Sequence, residues 1–153
     1  MKLPAAIPGV NCAAVVPLTR KGWRGAIRGY AQGPRTGNMN VPMSAIVEAV
    51  CEGLRIDIAE FRSNSRFLRV VVARELVAAL ATDLTRLSYQ AIAFAMNRPN
   101  HSTVIDAKNR WRDRVERAKL GDQTALIAVY REVLDPQALY DRIREQLERT
   151  VAA

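Results

Sequence analysis

Apolar positions are densest between Phe67 and Leu84, where Leu68, Val72, Leu76, Leu80 and Leu84 recur every four residues with Val70, Val71 and Val77 beside them. A helix wetted on one face would not carry apolar side chains on nearly every side, so this stretch predicts the central, buried helix of a small bundle. Upstream, Ile46, Val47, Val50 and Leu54 form one side of a helix that begins near Pro42 or Ser44 and ends near Arg55. A second short helix follows from Ile56 to Phe61, and Arg62-Ser63-Asn64-Ser65-Arg66 reads as a polar bend. Downstream, Ser88 to Trp111 divides into two helices at Asn97-Arg98-Pro99. Ser88 suits the N-cap of the first, which carries Ile92 and Met96 on one face. Pro99 has no N–H to donate and disfavours helical geometry at Arg98, so that helix stops there. Asn100 suits the N-cap of the second, whose apolar side is Val104, Ala107, Trp111 and Val115, and small Ala91 and Ala95 let the pair pack closely. The second helix continues through WRDRVERAKL to Gly121 as a C′ glycine. Two further helices are predicted, Thr124 to Leu134 and Pro136 to Val151, the last with Leu139, Ile143, Leu147 and Val151 at i+4 spacing. The expected fold class is all-α.

Residues 1–43 hold most of the Pro and Gly and keep no period, which predicts an irregular, flexible arm. They also hold six Lys/Arg and no Asp/Glu, against nine and seven in residues 44–110 and eight of each in residues 111–153. The net charge of +8 favours a polyanionic partner, yet most of the excess lies in the arm. There, Arg20, Lys21, Arg24, Arg28 and Arg35 alternate with Trp23 and Tyr30, a pattern that suits phosphates and stacked bases or, equally, a solvated tail. Two prolines and Asn11 interrupt the apolar start of the chain, which argues against a secretory leader, and no apolar run approaches the ~18 residues of a membrane span. Cys12 and Cys51 are too few for a disulfide framework, and one histidine without a Cys-x-x-Cys pair argues against a zinc site. Reduced thiols and a cytoplasmic, nucleoid-associated location are expected.

Two helices meeting at a turn outline a helix-turn-helix, in which the start of the second helix enters the DNA major groove. At that start stand Asn100, His101, Ser102 and Thr103, short polar side chains able to hydrogen-bond base edges. The helix N-terminus also offers free N–H groups to a phosphate. Spacing alone leaves two readings open, a DNA reader or a capped structural helix of a bundle.

Residues 46 to 111 resemble the C-terminal DNA-binding domain of the bacterial replication initiator DnaA. That family ends its helix-turn-helix with an Asp-His-Thr/Ser-Thr-Val run followed by an apolar residue, one further residue and Ala; here the run is Asn100-His101-Ser102-Thr103-Val104-Ile105-Asp106-Ala107. Its amphipathic helix, basic loop and long apolar helix look like IVEAVCEGLRIDIAEF, RSNSRFLR and VVVARELVAALATDL. The resemblance implies a Trp-repressor-like helical bundle that binds double-stranded DNA. It assigns Asn100, His101, Ser102 and Thr103 to the major groove and Arg66 to the minor groove. The candidates for phosphate contact are Arg62, Arg69, Arg74, Ser88, Gln90, Arg98 and Lys108. This chain departs from the family in four ways. Asn64 and Ser65 stand at its basic loop positions, Phe67 and Leu68 replace Ser and Arg, Pro99 replaces Arg, and Asn100 replaces an acid.

The DnaA initiator joins this domain to a P-loop ATPase. No G-x-x-x-x-G-K-[ST] occurs here and residue 44 leaves little room before it, so ATP-driven origin melting does not carry over. His101 is the sole histidine and sits where DNA is read, so no catalytic constellation, cofactor or metal is expected. The predicted organisation is a basic arm (1–43), a DnaA-like helix-turn-helix domain (44–120) and a C-terminal helical extension (121–153). The expected function is sequence-specific duplex DNA binding at sites related to DnaA boxes, in replication initiation, its regulation or transcription. The C-terminal helices are either bundle packing or a face for replication proteins. The alternatives are a helical interaction module with weakened DNA contacts, and a single-stranded nucleic-acid or RNA binder acting through the arm.

Overall fold

The computed structural model describes residues 41–153, so residues 1–40 of the predicted arm lie outside the described residues. Six helices and one small hairpin follow in order: α1 (Met43–Leu54), α2 (Ile58–Arg62), α3 (Leu68–Leu84), α4 (Tyr89–Ala95), α5 (His101–Lys119), β1 (Ile127–Val129), β2 (Glu132–Leu134) and α6 (Pro136–Ala152). The fold class is all-α, as the spacing of apolar residues predicts.

Helix α3 is the axis of the bundle. Val70, Val72, Leu76, Val77, Leu80 and Leu84 are buried, as are Ala73, Ala78 and Ala81 between them, so the helix is enclosed on almost every side. Leu68 is the exception to the predicted ladder at 69% exposed, because it is the first residue of the helix and lies beyond the last layer of the core. Around α3 pack Ile46, Val47, Val50 and Leu54 of α1, Ile92 of α4 and Val104, Trp111 and Val115 of α5, all in one buried cluster. Burying each such side chain contributes about 1.5–3 kcal/mol. One ion pair crosses this core: Arg114 Nε of α5 donates to Glu75 Oε2 of α3 at 3.1 Å, with both residues buried.

Helix ends follow local chemistry. Arg55 takes a left-handed φ of 53° after α1, and the Ile56 N–H returns to the Cys51 carbonyl at 2.9 Å. Gly121 takes φ 86° after α5, and the Asp122 N–H returns to the Arg117 carbonyl at 3.0 Å. The αL conformation there costs a glycine nothing.

Beyond Gly121 the predicted helix from Thr124 to Leu134 is absent. Asp122 accepts from the Thr124 N–H at 2.9 Å and caps a 3₁₀ turn, Gln123–Ala125, and the chain then forms the hairpin. Ile127 pairs with Leu134 and Val129 with Glu132 in antiparallel register. Ile127 and Val129 point into the core while Ala128 points out, the period of two that a strand requires. Leu126, Tyr130 and Leu134 also fall four apart, which is why the segment reads as a helix from spacing alone. Tyr130 begins the two-residue turn at φ 53°.

Helix α6 starts at Pro136, and Asp135 Oδ2 accepts from the Ala138 N–H at 3.0 Å. Leu139, Tyr140, Ile143 and Leu147 join the same buried cluster as α3. Gly53 of α1 makes this approach close, since a Cβ there would lie 3.2 Å from Ile143 Cδ1. Tyr140 Oη donates to Asp83 Oδ2 at 2.5 Å. The outer face of α6 carries the pairs Arg144–Glu148 and Arg149–Glu145, each at i,i+4.

Candidate nucleic-acid interface

Helix α4, the turn at Asn97 and helix α5 form the helix-turn-helix. Ser88 Oγ accepts from the Ala91 N–H at 3.2 Å and starts α4, whose Ile92 and Ala93 are buried, as is Met96 at its C-cap. The helix ends through backbone geometry before Pro99 is reached. Asn97 adopts φ 57°, its N–H returns to the Phe94 carbonyl at 3.0 Å, and the Arg98 N–H returns to Ala93 at 2.8 Å. Both bonds together make a Schellman closure, with Asn tolerating the αL position better than most L residues.

Helix α5 then opens with Asn100 at the N-cap position, extended at φ −122° but with no side-chain cap hydrogen bond. That departs from the capping role predicted for it. Asn100, Ser102 and Thr103 are exposed and His101 is half-buried, so the first turn stands open to solvent, while Val104 behind it is buried. Thr103, Asp106 and Arg110 recur on one side of α5 and, with Arg74, Glu75 and Arg98, line a cleft of about 230 Å³. Asp106 and Arg110 are not among the sequence candidates; their i+3 and i+7 spacing from Thr103, respectively, is the signal that finds them.

The loop between α2 and α3 is stitched to this motif. Asn97 Nδ2 donates to the Arg62 carbonyl at 3.2 Å, Arg98 Nη2 to the Ser63 carbonyl at 2.8 Å, and Arg98 Nη1 to Asn64 Oδ1 at 3.4 Å. From α3, Arg74 donates Nε to the Phe61 carbonyl at 3.1 Å, Nη1 to Ser65 at 2.6 Å and Nη2 to Ser63 at 2.5 Å. Within the loop, Ser63 Oγ donates to the Glu60 carbonyl at 2.6 Å and accepts from the Ser65 N–H at 3.1 Å. The outcome is a loop fixed at its base, with Arg66, Phe67 and Leu68 exposed at its far end.

Several predicted phosphate candidates therefore have other work. All three nitrogens of Arg74 are committed to carbonyls, so it is a loop clamp and not a freely reaching arm. Burial lowers its pKa, with repulsion from Arg98 adding to the effect. Arg98 is half-buried in the same clamp. The Arg69 guanidinium lies 5.1 Å from the Tyr130 ring centre, with Arg55 at 5.5 Å from the same ring, so it belongs with the hairpin tip. Lys108 lines a different cleft, alongside Trp111, Asp83 and Tyr140. Arg62 and Gln90 are exposed, and Ser88 is exposed with its oxygen used as a cap.

Residues 43–110, which contain both the loop and the helix-turn-helix, match the family model for the bacterial DnaA protein helix-turn-helix. Those residues, under half of the chain, are similar to that family. The chain is also similar to curated relatives, each a chromosomal replication initiator protein DnaA. It is 34% identical to that of Gloeobacter violaceus over 89 residues, which is 58% of this chain and 19% of the relative. The corresponding figures are 28% over 83 residues, 54% and 17% for Geobacter sp. (strain M21), and 34% over 71 residues, 46% and 15% for Chromobacterium violaceum. The chain thus spans less than a fifth of the length of these relatives. The match to the family model ends at Arg110, so the second half of α5, the hairpin and α6 lie beyond that model.

Among the described residues no helix is long and apolar enough to cross a membrane, and no group of three or more His, Cys, Asp or Glu is placed to hold a metal ion.

Proposed function

We propose that the DnaA-type domain binds double-stranded DNA in a sequence-specific manner at sites related to DnaA boxes, without ATPase chemistry of its own, in replication initiation, its regulation or transcription. Asn100, His101, Ser102 and Thr103 read base edges in the major groove, and Arg66 enters the neighbouring minor groove. Arg62 and Arg110 are the exposed cations available to phosphates beside them. The observation that carries this reading is the stitching of the loop to the helix-turn-helix turn. Asn97 and Arg98 hold the Arg66 loop and the start of α5 in one frame, so two adjacent grooves are addressed together.

Asn100 supports a shifted preference. The family's acid accepts from cytosine, whereas an amide both donates and accepts and pairs well with adenine. Selection of binders from a randomised duplex library by the full chain tests this directly: the recovered site resembles a DnaA box altered by at least one base pair. Recovery of an unchanged box rejects the shift, and recovery of no site rejects the function. Arg66→Ala lowers the log–log salt slope by about 0.9 if Arg66 neutralises one phosphate-equivalent charge. Thr103→Ala costs roughly 1–3 kcal/mol of discrimination if the hydroxyl or methyl reads a base, and an equal loss on every sequence makes it a positioning residue.

A further inference from the structure

Phe67 and Leu68 are large apolar side chains left in water, 74% and 69% exposed, immediately after Arg66. Phe67 is the N-cap residue of α3 and makes no side-chain cap hydrogen bond there, so its presence does not serve the helix. The segment that bears the pair is held rigidly, because Arg74 occupies the Phe61, Ser63 and Ser65 carbonyls behind it. Its exposed charged neighbours along the chain are cationic: Arg62 and Arg66 are exposed, and no Asp or Glu falls between Phe61 and Glu75. An apolar tip in such a collar fits a partner that is polyanionic outside and apolar within, and stacked bases behind phosphates are that partner.

We propose that Phe67, with Leu68 beside it, is a wedge that enters the minor groove next to Arg66 and partly unstacks one base step. The inference rests on the duplex-binding reading above and adds a specificity element to it. Apolar side chains placed between base pairs kink a duplex by roughly 20–90°. Pyrimidine–purine steps unstack most easily, so the wedge reads sequence through deformability, favouring TA or CA/TG where it enters.

The test uses the full chain, the variant F67S/L68S, and a duplex selected by the full chain carrying 2-aminopurine in turn at each position. Serine is a better N-cap than phenylalanine and both positions are exposed, so the variant keeps its fold, which an unchanged or raised melting temperature verifies. The native chain raises 2-aminopurine fluorescence at one flanking step and bends the duplex by at least ~20° more than the variant does, read by energy transfer between the duplex ends. The variant still retards the duplex but gives no such rise, and it tolerates a stiff A-tract at that step. Equal fluorescence and equal bending with both proteins bound overturns the wedge and leaves duplex binding standing. A native chain that binds no duplex overturns both.

Discussion

Replacing Arg74 with methionine separates a structural guanidinium from one that touches DNA. Three carbonyls lose a donor: those of Phe61, Ser63 and Ser65, at 3.1, 2.5 and 2.6 Å. The loss is not three full bonds. Ser63 retains Arg98 as a donor at 2.8 Å, and the loop is partly open to water, which resupplies the others. Hydrogen bonds to charged groups contribute about 1.5–3 kcal/mol each, so two bonds discounted for solvation give roughly 2–3 kcal/mol. For a domain of this size that lowers the melting temperature by about 8–12 °C. Amide exchange in residues 63–67 accelerates more than in α5, and duplex affinity falls with no change in the salt slope, because the charge removed never neutralised a phosphate. Denaturation, hydrogen exchange and binding across a salt series measure the three effects. Unchanged stability and loop exchange, with a slope reduced by about 0.9, would refute the clamp and return Arg74 to the DNA surface.

Arg114→Met leaves Glu75 buried without its partner and costs about 3–5 kcal/mol in chemical denaturation, whereas E75M/R114M recovers most of that loss. Equal costs for the single and double variants would show that packing, not charge, dominates. Asn97→Ala destabilises by about 1–2 kcal/mol while Asn97→Gly is nearly neutral, since φ 57° suits glycine; equal losses would assign the effect to the side-chain bond with Arg62. Burial, followed by the charge of Asp57, pushes the Cys51 thiol from 9.0 to about 11, and burial with the Asp83 hydrogen bond pushes Tyr140 above its ordinary value. Both groups hold their protons longer when folded, so stability is full below about pH 9 and falls as pH rises through about 11, by up to ~2.7 kcal/mol from Cys51. The melting temperature of the native protein drops more steeply over that range than that of Cys51→Ala, and equal slopes would exclude the thiol as a source.

The frame of the bundle was legible in the apolar spacing because α3 and α5 are long and their buried positions repeat. Val104, Ala107, Trp111 and Val115 all face inward as that spacing requires. The destinations of the arginines were not legible. A guanidinium sits on a long stem, and whether it meets solvent or a carbonyl depends on a loop folding back nine to thirteen residues along the chain, as it does at Arg74. Arg69 meets Tyr130 for the same kind of reason, and that tyrosine lies on a hairpin that spacing reads as a helix. Leu68 shows the complementary limit: a perfect periodicity does not say where along the helix the core stops.

Placing two arginines on one carbonyl couples the loop electrostatically to the turn before α5. Arg74 and Arg98 both donate to Ser63 O, and their mutual repulsion adds to burial in lowering the Arg74 pKa. Carbonyl dipoles offset that repulsion, so the cations and the loop stabilise one another and neither is arranged well without the other. The cost is that two of the nine basic residues in 44–110 are turned inward, in a segment that already carries seven acids. Less positive charge faces outward from residues 44–110 than their composition implies, so the long-range pull of that segment on a polyanion is weaker than nine basic residues suggest. On the proposed reading, discrimination comes from rigid, short-range fit at the first turn of α5 and at the tip of the Arg66 loop, and the clamp holds that loop to the turn before α5.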